Sequence, residues 1–187
     1  MKKVLFIKFT VFFIAAFCSV ANAENLSKDL TKQCLDSSKC TESEIVKILS
    51  LPPEPDEEKN HSNILGIGYE DGIRDDLERK VGLALFHNNQ ARAIYNRQAE
   101  LWTEMVLNQN DISKLKELSD ENRLASACIS RKYIETPSSL SSFEDQAAMG
   151  FDRLILRDQI QTKIRRAYGY PDRPSDDKVK KYCDSFK

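Results

Sequence analysis

The side chains dense enough to do chemistry fall in two groups. Glu70, Asp71, Asp75, Asp76 and Glu78 form an acidic cluster. Paired carboxylates at this spacing suit either a divalent cation or acid–base catalysis. A calcium loop needs alternating oxygen ligands closed by a glutamate at about the twelfth position, and that pattern is missing. The competing reading is electrostatic: acidic residues in the first turn of a helix are stabilised by its dipole. His61 and His87 are the only histidines. Neither lies in a spacing that defines a catalytic triad or a Cys-His pair. No catalytic residue, metal ligand or cofactor is therefore assigned, and an envelope hydrolase using Asp or Glu with His87 is kept as the alternative function.

The second group is the cysteines. Of five, Cys18 falls in the apolar leader described below, which leaves Cys34, Cys40, Cys128 and Cys183. An even number in an exported chain predicts two disulfides, with three possible connectivities. Cys34–Cys40 with Cys128–Cys183 is the preferred pairing, and links from the first helix to the other two remain open. In a continuous helix, six residues rise about 9 Å, too far for a disulfide, so a Cys34–Cys40 bond requires a break near Asp36-Ser37-Ser38. The spacing Cys-x5-Cys, with no second close pair and no histidine couple, is not a zinc pattern. A Cys-x-x-Cys redox motif is also lacking.

The leader supplies the compartment. Lys2, Lys3 and Lys8 precede an apolar run ending in Ala21-Asn22-Ala23, which predicts a secretory signal cleaved after residue 23. The run is too short to span a bilayer, for which about 20 apolar residues are needed. Its lysine-led form points to a bacterial envelope and a periplasmic mature protein, with secretion beyond as the alternative. No later stretch predicts a transmembrane segment.

Charge is polarised along the remaining chain. Residues 24–80 carry 8 basic and 14 acidic side chains, net −6, whereas residues 153–187 carry 10 basic and 5 acidic, net +5. Nothing in that balance suggests a nucleic-acid partner. Either the two ends neutralise each other within the fold, or the basic end meets an acidic partner or an anionic membrane surface. Glu57, Glu58, Arg165, Arg166, Lys180 and Lys181 are the candidate partner-binding residues on this reading.

The elements that would position these groups are helices. Thr41 and Glu44 form a capping box ahead of Ile45, Ile48 and Leu49. Pro52 and Pro53 end that helix, so residues 24–51 are expected as a helical hairpin. Residues 52–63 read as an acidic, proline-rich loop, and residues 64–187 as the main helical domain, with 24–187 one compact unit. Within it, a short helix is expected around Leu65, a turn near Gly72 and a helix from Asp75 or Asp76. Ala91, Ile94, Tyr95, Leu101, Trp102 and Met105 recur at helical spacing; whether this helix is continuous with the preceding one or restarts at Asn88-Asn89 is open. Trp102 reads as core-facing, with an interface anchor the alternative. Asp111 is expected to cap a helix and Asp120 a further one, ending at Thr136-Pro137. Ser141 and Glu144 form a second capping box for a helix stopped by Gly169 and Pro171. Ser175 would cap a last helix whose Val179, Tyr182, Cys183 and Phe186 form one docking stripe.

Leu65-Gly66-x-x-Tyr69 resembles the opening of a tetratricopeptide-type repeat over those positions alone. The family's Trp position is Ser62, and its later Ala and Phe positions are Glu78 and Gly82. No second copy follows, and a lone repeat cannot bury its own core, so no family is assigned.

The expected fold is an all-α, irregular bundle of about five to seven helices reinforced by two disulfides. The expected function is binding to an unidentified envelope protein in an inhibitor, immunity-type or adaptor role, without catalysis. A structural or stress-protective component is a further alternative, and the oligomeric state is left undefined.

Overall fold

A computed structural model describes Cys34, residues 40–130, Leu140 and residues 151–186. The leader and its cleavage site, most of the N-terminal hairpin, Thr136-Pro137 and the Ser141/Glu144 box lie outside the described residues. Those described contain seven α-helices and no strand: α1 (Glu42–Leu49), α2 (Glu57–Ser62), α3 (Asp75–Ala84), α4 (Asn89–Leu107), α5 (Ile112–Ser130), α6 (Phe151–Tyr168) and α7 (Asp176–Asp184). The fold is all-α, and both preferred disulfides are present, with Cα–Cα distances of 5.1 Å for Cys34–Cys40 and 5.8 Å for Cys128–Cys183.

The chain divides into two compact units, Met1–Leu49 and Ser50–Lys187. The division falls where the backbone cannot continue as helix. Ser50 adopts φ +52°, and Pro52 and Pro53 follow. In the first unit, α1 starts on the expected capping box: the Thr41 amide and hydroxyl donate to Glu44 Oε2 at 2.8 and 2.7 Å. These two bonds hold the Glu44 carboxyl below its usual range.

The second unit has two apolar clusters, strung along α4 and α5. One joins Leu77 and Val81 of α3, Ile94 and Tyr95 of α4, Cys128 of α5, and Val179 and Cys183 of α7. The other joins Leu101 and Trp102 of α4, Leu115 and Leu118 of α5, and Ile160 and Ile164 of α6. Trp102 thus takes its core-facing reading. The α3–α4 question resolves as a break: Asn88 Oδ1 accepts from the Ala91 amide at 2.9 Å and starts α4 afresh. Asp111 caps α5 as expected, accepting from Ser113 and Lys114 amides at 3.0 Å each.

Three local expectations are corrected. The segment 52–63 is not loop throughout, because Asp56 Oδ1 accepts from the Lys59 amide at 3.1 Å and nucleates α2. The stretch around Leu65 is not helical; Gly66 and Gly68 have φ +84° and +74°, and the first helical turn, a 3-10 turn, is Tyr69–Asp71. A repeat-type helix cannot run through those glycines. Asp120 does not start a new helix. It lies inside α5, paired with Lys116 at 2.5 Å and Arg123 at 3.7 Å, so its carboxylate is satisfied along the helix face. Ser175 occupies the cap position of α7 without a side-chain hydrogen bond.

α4, α5 and α7 are also joined by a polar hub. Arg97 of α4 reaches Glu100, Glu104 and, bidentately, Glu121 of α5 at 2.7–2.9 Å. The Tyr182 hydroxyl of α7 donates to Glu121 at 3.3 Å. The Arg97 bond lowers the Glu121 carboxyl against its partial burial, while burial and the Glu121 charge raise the Tyr182 phenol.

Candidate partner-binding cleft

Within the acidic cluster, Asp71, Asp75 and Glu78 stay close enough to repel one another, while Asp76 is paired with Arg74. Asp71 Oδ1 accepts from the Ile73 amide at 3.2 Å, and Glu70 is exposed. Asp75 and Glu78 are pushed upward by burial first and then by neighbouring carboxylates. Asp76 turns inward to Arg74, which is only 2% exposed and grips it through Nε at 2.7 Å and Nη2 at 2.6 Å. Burial would raise Asp76, but the Arg74 bonds and charge, an Asn60 hydrogen bond and the Arg153 charge bring its pKa below the ordinary value. Among the described residues, no group of three or more His, Cys, Asp and Glu is placed to hold a metal ion.

Arg153, at the start of α6, completes this buried node. Its guanidinium donates to the carbonyls of Asn60, Asn63 (2.6 Å) and Ile64 (3.2 Å). Burial, with repulsion from Arg74, lowers its pKa to about 10. Gly66 closes over the node. A Cβ there would fall on Arg74 Cγ and Cδ and 2.9 Å from Asn60 Oδ1, at a φ that favours glycine. Gly66→Ala is therefore expected to destabilise by at least about 2 kcal/mol, from the left-handed backbone and the displaced Arg74 together. Urea unfolding measures this, and a loss under about 0.5 kcal/mol would show that the turn relaxes freely.

Both histidines are exposed; His87 sits in the α3–α4 break with its ring 4.9 Å from that of Phe86. Of the candidate partner-binding residues, Glu57 and Glu58 lie exposed in the first turn of α2, Arg165 and Arg166 exposed in the last turn of α6, and Lys180 and Lys181 exposed on α7. They lie on three separate helices.

A cleft of about 530 Å³ lies between α5, the end of α6, the 169–175 segment and the start of α7. Lys116, Arg123, Arg173 and Lys178 supply its positive charge, and Asp120 and Asp172 the negative. Gly169, at φ +77°, ends α6 in the left-handed conformation expected of a helix stop, its amide bonded to Arg165 O at 2.8 Å. Arg123 then ties the segment to α5 by donating to the carbonyls of Asp172 and Pro171. This leaves two tyrosines at the rim. Tyr168 is 46% exposed with Lys116 5.6 Å from its ring, and Tyr170 is 85% exposed with the Arg165 guanidinium 5.8 Å away. Among the described residues, Arg173 and Lys178 make no ion pair.

Of the candidate basic residues, only Arg165 reaches this rim, through Tyr170. Arg166 instead lines, with Lys163, one groove between α6 and the α4–α5 turn and another along the outer face of α6. The cleft's cations come from α5, the 169–175 segment and α7, which are distant in sequence. The one local signal was the Tyr-Gly-Tyr-Pro-Asp-Arg-Pro run over 168–174.

The chain matches no protein-family model, no curated protein and no solved structure. No helix among the described residues is long and apolar enough to cross a membrane.

Proposed function

We propose that this is an exported, periplasmic binding protein that acts without catalysis by engaging an acidic protein partner through the α5–α6–α7 cleft, in an inhibitor, immunity-type or adaptor role. The observation that carries the reading is the rim of that cleft, where Tyr170 is 85% exposed and where Arg173 and Lys178 are, among the described residues, in no ion pair. An exposed tyrosine with its ring held by an arginine is the kind of rigid amphipathic anchor on which interface energy concentrates. Unpaired Arg173 and Lys178 would steer an acidic partner and fix its register. The signal-like leader and two disulfides support an oxidising compartment.

The test is affinity capture from periplasmic extract with oxidised wild-type protein and with a Tyr170→Ala/Arg173→Glu/Lys178→Glu variant. The expected result is a stoichiometric partner that high salt releases and the variant fails to retain. A partner held equally by both proteins, or none held by either, overturns the reading.

A further inference from the structure

We infer that the cleft also receives the acidic proline segment, residues 52–58, of a second copy of this chain, so that the protein associates with itself head to tail. This rests on reading the cleft as a groove for acidic segments, and adds a particular occupant.

The two surfaces complement each other in charge and in shape. Residues 52–58 run Pro-Pro-Glu-Pro-Asp-Glu-Glu, with Glu54, Glu57 and Glu58 exposed and, among the described residues, in no ion pair. Pro52, Pro53 and Pro55 hold the backbone up to Asp56 near extended polyproline geometry, which docks in aromatic-lined grooves with little ordering cost, and Glu57 and Glu58 follow on the first turn of α2. The segment is also pre-set at both ends. Arg79 donates to Pro52 O at 3.0 Å, and Asn60, just beyond Glu58, gives its carbonyl to Arg153. The cleft offers the converse: Tyr168 and Tyr170 at the rim and the unpaired Arg173 and Lys178.

Within one molecule the two surfaces cannot meet. The segment is held at Arg153, near the start of α6, while the cleft opens at Tyr168, the last residue of that helix. At 1.5 Å rise per residue, those positions are roughly 22 Å apart along the axis. Reaching the cleft would require releasing both the Arg79 and the Arg153 anchors. The charge polarity of the sequence therefore remains unneutralised at these two surfaces, and a second molecule is the occupant that matches both. Because donor and acceptor surfaces differ, the contact is heterologous and generates a ring or an open chain rather than a two-fold dimer.

The test uses the full oxidised protein in sedimentation equilibrium over a range of concentrations, at low and high salt. Wild type is expected to gain mean mass with concentration at low salt and to lose that gain near 1 M salt, where screening shortens to about 3 Å. Arg173→Glu/Lys178→Glu and Glu57→Lys/Glu58→Lys are each expected to weaken association at least about tenfold, through like charges set face to face. Mixed with each other, the two variants recover a complex, because one now carries an acidic cleft and the other a basic segment. A peptide of residues 51–59 is titrated in parallel against wild type. If the peptide binds and the protein stays monomeric throughout, self-docking is overturned while the acid-binding cleft stands. If neither occurs, both readings fall. Self-association that survives both charge reversals places the contact elsewhere and also overturns the inference.

Discussion

Asp76→Ala is expected to cost about 3–5 kcal/mol of stability, because it withdraws the bidentate carboxylate from a guanidinium that is 2% exposed and already faces a second buried arginine. For a unit of this size that corresponds to a fall in Tm on the order of 10 °C. Thermal denaturation at neutral pH, followed by circular dichroism, measures it. A loss under about 1 kcal/mol would show that the node tolerates its net charge through the backbone carbonyls alone.

The same residue sets an acid limb. Asp76 titrates below its ordinary value of 3.8 in the folded protein, so the unfolded chain binds the proton more tightly. Its contribution is fully present above the unfolded pKa and is lost as pH falls through the folded one. Wild-type stability should therefore decline below about pH 4, and Asp76→Asn should flatten that decline. Asp75 and Glu78 act with the opposite sign, since both are raised and protonating them relieves repulsion. The comparison with Asp76→Asn isolates the Asp76 limb from theirs.

Opening the Cys128–Cys183 bond is the second large effect. The bond spans 55 positions, for which the chain-entropy model gives about 4 kcal/mol. Both cysteines are buried, at 0% and 3% exposed, so a Cys128→Ser/Cys183→Ser protein also places two hydroxyls in an apolar cluster. Its denaturation midpoint in urea should fall steeply, with α7 leaving first. The corresponding Cys34→Ser/Cys40→Ser change opens a loop of only 6 positions and is expected to cost about half as much. Equal losses for the two pairs would contradict the loop-length account.

These effects divide between what the sequence made legible and what it did not. The Thr41/Glu44 box, the Asp111 cap and the α7 stripe were readable because each is settled within one or two helical turns. The disulfide pairing was readable for a similar reason: Asp36-Ser37-Ser38 offered a break for one loop, and α7 put Cys183 mid-stripe. The register of α6 was not. Arg153, Leu156, Ile160 and Ile164 face inward, while Leu154 and Ile155 are 39% and 41% exposed. An arginine takes a core position because three backbone carbonyls of the 60–64 turn need a donor, and a hydropathy pattern cannot register that demand. Asp120 misled for the converse reason, since a good capping residue is equally content between Lys116 and Arg123. The cleft was hidden because its cations are drawn from positions 116, 123, 173 and 178. The sequence picked out Arg165, Arg166, Lys180 and Lys181 by density along the chain, and density does not specify a shared face.

The clamp of α7 bears on the order in which this molecule can assemble. Val179 and Cys183 complete a cluster whose other members begin at Ile73, so the core stays open on one side until a segment synthesised about a hundred residues later is in place. Contacts of such sequence separation close slowly, and the surface awaiting them is exposed in the meantime. The chain is thus a late-finishing folder: α3, α4 and α5 can gather as each emerges, but cooperative stability arrives only with α7, and the Cys128–Cys183 bond then makes that last step hard to reverse.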